Sequence, residues 1–271
     1  MEAQVRTLKD LELYRLKNPK IIDHYAKQVT VLEDLNKYLF WLDQNEVTTD
    51  LSVALKRTKQ RALGIHPSSA CKADVCLLKL YLECTGKMQP NKAFKQQMQL
   101  TWDLGTMLHV MLQTWFKEMY GDQFTPEVPL IQGPIKSSTD GLFDFTHYRF
   151  IFELKSIKEG GNFGWDKIQA KPFEDNVRQC HFYMKLADVP FALLVYFGKN
   201  ISEIKEHVVV FNPAIWHDIE SKVIAPVMQA TKAGIMPKAT SGWHCNWCDF
   251  ARSCPKKGAV PYDPAADWPE T

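Results

Sequence analysis

Glu153 and Lys155 stand two residues apart in the run YRFIFELKSIK, residues 148–158, where Phe150, Phe152 and Leu154 alternate with Ile151, Glu153 and Lys155. Strict period-two alternation in a β-branched and aromatic run predicts a strand with two unlike faces, so the carboxylate and the ammonium share one of them. Such a carboxylate can hold a hard cation while the ammonium steers a water or a phosphate oxygen. Taken alone, the pair reads more simply as a salt bridge on an exposed strand face. A second set of reactive groups lies in GWHCNWCDFARSCP, where Cys245, Cys248 and Cys254 form a CxxC followed by a third cysteine next to a proline. Three thiolates leave a four-coordinate metal or cluster one ligand short. The other cysteine-dense stretch, HPSSACKADVCLLKLYLECTG, carries Cys71, Cys76 and Cys84. Cys76, which opens an apolar helical run, is the preferred fourth ligand and Cys71 the runner-up.

Several elements must position these groups. Residues 2–64 are rich in Leu, Lys, Glu and Asp, with Leu32, Leu35, Leu39 and Leu42 at helical spacing, and predict a helical N-terminal cap. The basic run of Lys56, Arg57, Lys59 and Arg61 reads as a solvated face. Leu104, Met107, Leu108, Met111, Leu112, Trp115, Phe116 and Met119 predict an amphipathic core helix with His109 on its flank. Short strands are expected over 126–131 and 138–146, with a turn or bulge at Asp140 and Gly141, which sets Asp140 on the strand paired with Glu153. DNVRQCHFYMKLAD predicts a helix that carries Gln179 and Tyr183 one turn apart on one face. FALLVYF and EHVVVFN read as buried strands, and a closing helix follows, interrupted at Pro226. The tail is expected to be disordered.

Composition bounds the class. With 271 residues, 45% hydrophobic and 12% aromatic, the chain can bury a sizeable core, and its net charge of +2 selects no polyanionic partner by itself. A charged N-terminus and the lack of a long apolar run predict no membrane span and a reducing cytoplasm, where seven cysteines favour ligation over disulfides.

The order of these features resembles the PD-(D/E)xK nuclease superfamily: a His on a helix, an Asp on a strand, ExK on the next, QxxxY on the following helix, then one early and three late cysteines. More narrowly it is similar to the RecB-like iron-sulfur exonucleases, which include CRISPR-associated adaptation nucleases and phage recombination exonucleases. The resemblance spans 65–255. It implies an α/β, restriction-endonuclease-like core with a mixed central sheet flanked by helices over 65–258, after a helical N-terminal region at 1–64. A C-terminal cysteine-cluster loop and a tail at 259–271 complete the organisation. It also implies catalytic Asp140, Glu153 and Lys155, a Mg²⁺ or Mn²⁺ ion on His109, Asp140, Glu153 and the Leu154 carbonyl, and DNA-side Gln179 and Tyr183. The cluster ligands fall on Cys76, Cys245, Cys248 and Cys254, holding [4Fe-4S]. Ser138 stands where the family usually has glycine, so Asp144 remains an alternative to Asp140. Likewise, Leu77, Leu78 and Lys79 follow Cys76 where the family often has an arginine, which keeps Cys71 open.

A phosphodiester is anionic and slow to hydrolyse, so such a site needs an ion that polarises the phosphate and acidifies a water, with Lys155 orienting the water or stabilising charge. The resemblance therefore implies a metal-dependent exonuclease acting on DNA that is single-stranded or has single-stranded ends, in recombination, repair or phage DNA processing. Recombination or replication proteins are the implied partners, in a bacterial or phage-infected cytoplasm. Two alternatives share the residues: a silent nucleic-acid-binding or assembly module, and a nuclease whose cysteines hold Zn²⁺.

Overall fold

Five strands form one mixed sheet in the order β1-β2-β3-β4-β5: β1 Phe124–Gln132, β2 Ile135–Asp144, β3 Arg149–Ile157, β4 Phe191–Gly198 and β5 Glu203–Val210. β3 and β4 pair in parallel and the other neighbours antiparallel. A parallel pair needs a crossover, and here it runs through a helix at Glu174–Ala187, named α7 below. This is a computed structural model, and it describes residues 3–45, 62–88, 96–161, 164–242, 244–245, 248–251 and 254, with no side chains for 96–99. The basic run from Lys56 to Arg61 and the tail at 259–271 lie outside the described residues.

Around the sheet lie α1 Leu8–Lys17, α2 Pro19–Ala26, α3 Leu32–Gln44, α4 Pro67–Ala70, α5 Leu77–Thr85, α6 Gln96–Tyr120, the crossover helix α7, α8 Pro213–Ile219 and α9 Ala225–Ala233. Among the described residues, no helix is long and apolar enough to cross a membrane. A capping box of Thr7 and Asp10 starts α1, and Gly86, in the left-handed region, ends α5. The N-terminal helices share the main core: Leu11, Ile22, Tyr25 and Leu35 pack in one cluster with Phe150, Phe152 and Leu154.

β3 has two unlike faces, as its alternation predicts, but both are covered, and Ile151, Phe152, Glu153 and Leu154 are all buried. On one face the Phe116 ring of α6 meets Phe124, Phe143 and Phe152 edge-on, with centroids 5.0–5.7 Å apart. On the other, α7 brings Asn176 to 2.8 Å from the hydroxyl of Tyr196, the β4 residue that pairs with Lys155.

Three sequence expectations need correction. Leu104 and Met107 are about half exposed, so the core stripe of α6 is carried further along by Leu112 and Phe116. EHVVVFN is a half-buried edge strand, because β5 has a neighbour on one side only. Asp140 and Gly141 form neither a turn nor a bulge with an added residue; they lie inside β2, which keeps one register against β1 on both sides of them. The closing helix does break, through a π-helical turn at Glu220–Ile224 that precedes Pro226 in the first turn of α9.

Candidate active site

β2 loses its partners on both edges at Asp140. The β2–β3 ladder runs from Asp144↔Arg149 to Gly141↔Phe152 and stops. The β1–β2 ladder keeps one register from Phe124↔Phe143 to Gln132↔Ile135 but skips the pair Glu127 and Asp140. Buried backbone groups need partners, and side chains supply them here. The Leu154 amide donates to Asp140 Oδ2 at 2.7 Å, Thr139 Oγ1 donates to the Phe152 carbonyl at 3.1 Å, and Gln113 Nε2 donates to the Asp140 carbonyl at 2.7 Å. A Cβ on Gly141 would sit 2.4 Å from the Phe124 ring, so only glycine lets β2 pass there.

The opening gathers charge. His109, from α6, stands with Nδ1 3.2 Å from Asp140 Oδ1, and Lys155 Nζ donates to Glu153 Oε1 at 2.5 Å. Glu153 is 2% exposed, and its Oε2 is buried with no hydrogen-bond partner among the described residues. Burial first, and then the neighbouring charge of Asp140, push the Glu153 carboxyl up to about 7 against the opposing pull of Lys155. Burial also opposes ionisation of Asp140, yet His109, Lys155 and the Leu154 amide outweigh it and hold this carboxyl below its usual range. For His109 and Lys155 burial again works against the charge, and the facing carboxylates of Asp140 and Glu153 raise both. In an extended strand a residue's carbonyl leaves by the same edge as its amide, so the Leu154 carbonyl faces the gap that β2 has left.

Among the described residues, no three His, Cys, Asp or Glu side chains converge as a ready-made metal site. The donor set nevertheless fits a hard divalent ion: two carboxylates, one with a buried and unpartnered oxygen, an imidazole and a strand carbonyl. A cleft of about 480 Å³ opens on the His109 side, lined by Trp102, Thr106, His109, Glu127, Ser156 and Lys199 among others.

Gln179 and Tyr183 meet as their spacing predicts, Gln179 Nε2 donating to the Tyr183 hydroxyl at 2.8 Å, but both are buried. Burial and the charges of Glu153 and Asp140 hold the Tyr183 phenol well above its ordinary value. Asp144 sits at the other end of the hairpin, paired with Arg6 at 2.6 Å and Arg149 at 3.2 Å. Cys76, Cys248 and Cys254 pack on one small apolar cluster of Leu78, Tyr81, Leu82 and Phe250. Cys245 lies one turn before Cys248, whose amide donates to its carbonyl at 3.2 Å. Cys71 is buried in a different cluster, with Ile65 and Leu80. Burial pushes the Cys248 thiol up to about 11. Gln113, Glu127 and Thr139 escape a reading of the sequence, although Gln113 follows His109 by four residues and so shares its helix face.

No protein-family model matches the chain, and neither does any curated protein. Among solved structures, SSO0001 is similar at 18% identity and a TM-score of 0.45, over 85% of this chain and 98% of that one. The alkaline exonuclease LHK-Exo of Laribacter hongkongensis is similar at 14% identity and a TM-score of 0.44, over 64% of this chain and 90% of its own. Its complex with dAMP gives 15% identity and a TM-score of 0.46 over the same shares.

Proposed function

We propose that the chain is a divalent-metal-dependent DNA exonuclease. The observation that carries this reading is the buried Glu153 carboxylate with one oxygen unpartnered among the described residues, set beside Asp140 and ion-paired to Lys155, with His109 joining this group to a cleft. A buried carboxylate oxygen without a partner is costly, and a bound cation offsets that cost. Asp140, Glu153, His109 and the Leu154 carbonyl would hold Mg²⁺ or Mn²⁺. Such an ion polarises a phosphodiester and lowers the pKa of its water. His109 would have to be neutral to serve as a ligand, so binding would favour neutral to alkaline pH. Lys155, fixed by Glu153, orients the attacking water or neutralises charge on the phosphate. The exposed Trp102 and the half-buried Lys199 offer the cleft an aromatic face and a cation for a strand of DNA. Recombination, repair or phage DNA processing are the settings that suit this activity.

End-labelled single- and double-stranded DNA incubated with Mn²⁺ tests the reading. Stepwise shortening by the wild type and none by Asp140→Asn are expected, and an inert wild type that binds DNA would make the chain a silent binding module.

Cys76, Cys245, Cys248 and Cys254 form a structural [4Fe-4S] site in this reading, joining α5 to the C-terminal segment across a long loop. The shared packing of Cys76, Cys248 and Cys254, away from Cys71, supports that choice. Iron and sulfide per chain should fall in Cys76→Ala and stay normal in Cys71→Ala. The reverse pattern would transfer the ligand to Cys71, and zinc in a colourless anaerobic preparation would replace the cluster.

A further inference from the structure

Glu127 has φ of 50° in the middle of β1, a left-handed backbone that costs a non-glycine residue energy and persists only where surroundings enforce it. The enforcing contacts are visible. Glu127 Oε1 accepts from Gln113 Nε2 at 2.8 Å and Oε2 accepts from Ser138 Oγ at 3.1 Å. The same Gln113 nitrogen donates to the Asp140 carbonyl at 2.7 Å, so both of its hydrogens are used. Gln113 is a buried amide on α6, one turn beyond His109, and it bridges the two residues that the β1–β2 ladder skips. Without it, Asp140 would carry an unbonded carbonyl and β2 could close back onto β1, drawing the carboxylate away from the Leu154 amide.

We propose that Gln113, braced by Glu127, is the positioning residue of the site: it holds β1 and β2 apart at Asp140 and thereby aims the Asp140 carboxylate at Leu154 and His109. Its effect on cleavage rests on the nuclease reading; its effect on Asp140 does not. Gln113 touches no reacting atom and acts through Asp140.

Amide hydrogen exchange at Leu154 reads the position of Asp140 directly, because that amide donates to Asp140 Oδ2. In Gln113→Leu the Leu154 amide should exchange roughly ten-fold faster, the scale of one lost hydrogen bond. Amides of Leu193 and Val195 in β4 should not change. Cleavage at saturating DNA should fall by about the same factor, with KM for DNA within about two-fold. Glu127→Gly removes the brace while suiting the left-handed backbone, so its melting temperature should hold or rise as Leu154 exchange quickens, by roughly three-fold. Unchanged Leu154 exchange in both variants overturns the proposal. So does faster exchange with undiminished cleavage, or a Glu127→Gly that loses stability and keeps full activity per folded molecule. A wild type that fails to cleave, with Leu154 still released in Gln113→Leu, would sink the nuclease reading and leave the positioning of Asp140 standing.

Discussion

Asp140 and Asp144 lie four residues apart on β2, on the same face, and each is met by cations, yet the hairpin treats them differently. At the closed end, Asp144 is about 40% exposed and bound by two arginines, Arg6 and Arg149, whose charges are permanent. Arg6 also donates to the carbonyls of Phe145 and Thr146, which ties the N-terminal segment to the turn. At the open end, Asp140 is 17% exposed and meets His109, whose charge can be removed, beside a glutamate with an unpartnered oxygen. The closed end is saturated and the open end is not. A saturated carboxylate serves the fold, whereas the open end keeps a Glu153 oxygen without a partner among the described residues, and that difference is why our proposed site takes Asp140 over Asp144.

The largest expected effect separates the two aspartates. Asp140→Asn should lower cleavage roughly 1,000-fold or more at little cost in stability, since it deletes a ligand and no core volume. Asp144→Asn should leave cleavage within about two-fold and lower stability by about 1 kcal/mol, the upper range for exposed ion pairs. Comparable losses of activity in both would dissolve the contrast. Lys155→Ala should come next, slowing cleavage by roughly 100-fold while Mn²⁺ still binds, because the ammonium acts on water or phosphate. Loss of Mn²⁺ affinity, followed by calorimetry, would instead make Lys155 part of the ion's own support. At the closed end, Arg6→Ala should cost about 1 kcal/mol by chemical denaturation and leave the rate per folded molecule intact.

The smallest effect is a pH dependence carried by the open end alone. Glu153 titrates near 7 in the folded chain, above its ordinary 4.5, so folding favours its protonated form. Its stabilising contribution is complete below about 4.5 and fades as pH rises through about 7. In EDTA, the melting temperature of Glu153→Gln should therefore overtake that of the wild type progressively across this window, and Mn²⁺ should reverse the order. A difference that is flat with pH would show that folding leaves the Glu153 carboxyl at its ordinary value.

Much of this was legible in the chain itself, because periodicity is a local property. Alternation through residues 148–158 put Glu153 and Lys155 on one strand face, and the turn-spaced Gln179 and Tyr183 do share a helix face. The stripe of α6 was legible as a helix but not in its burial. Leu104 and Met107 belong to the same i, i+3, i+4 series as Leu112 and Phe116, and only the tertiary packing decides which are covered.

Residue types and spacing alone therefore determined the strand and the helices and nominated the candidate reactive groups. The choice between Asp140 and Asp144 could not be made there, since both have the parity that reaches Glu153's face. Hairpin register makes it: Asp144 pairs with Arg149, Gly141 pairs with Phe152, and continuing that register sets Asp140 opposite Glu153. Gln113 and Glu127 are assigned by the tertiary structure for the same reason. They come from a helix and a strand distant in sequence from Lys155, and only the packing of α6 against the opened sheet brings them to the carbonyl of Asp140.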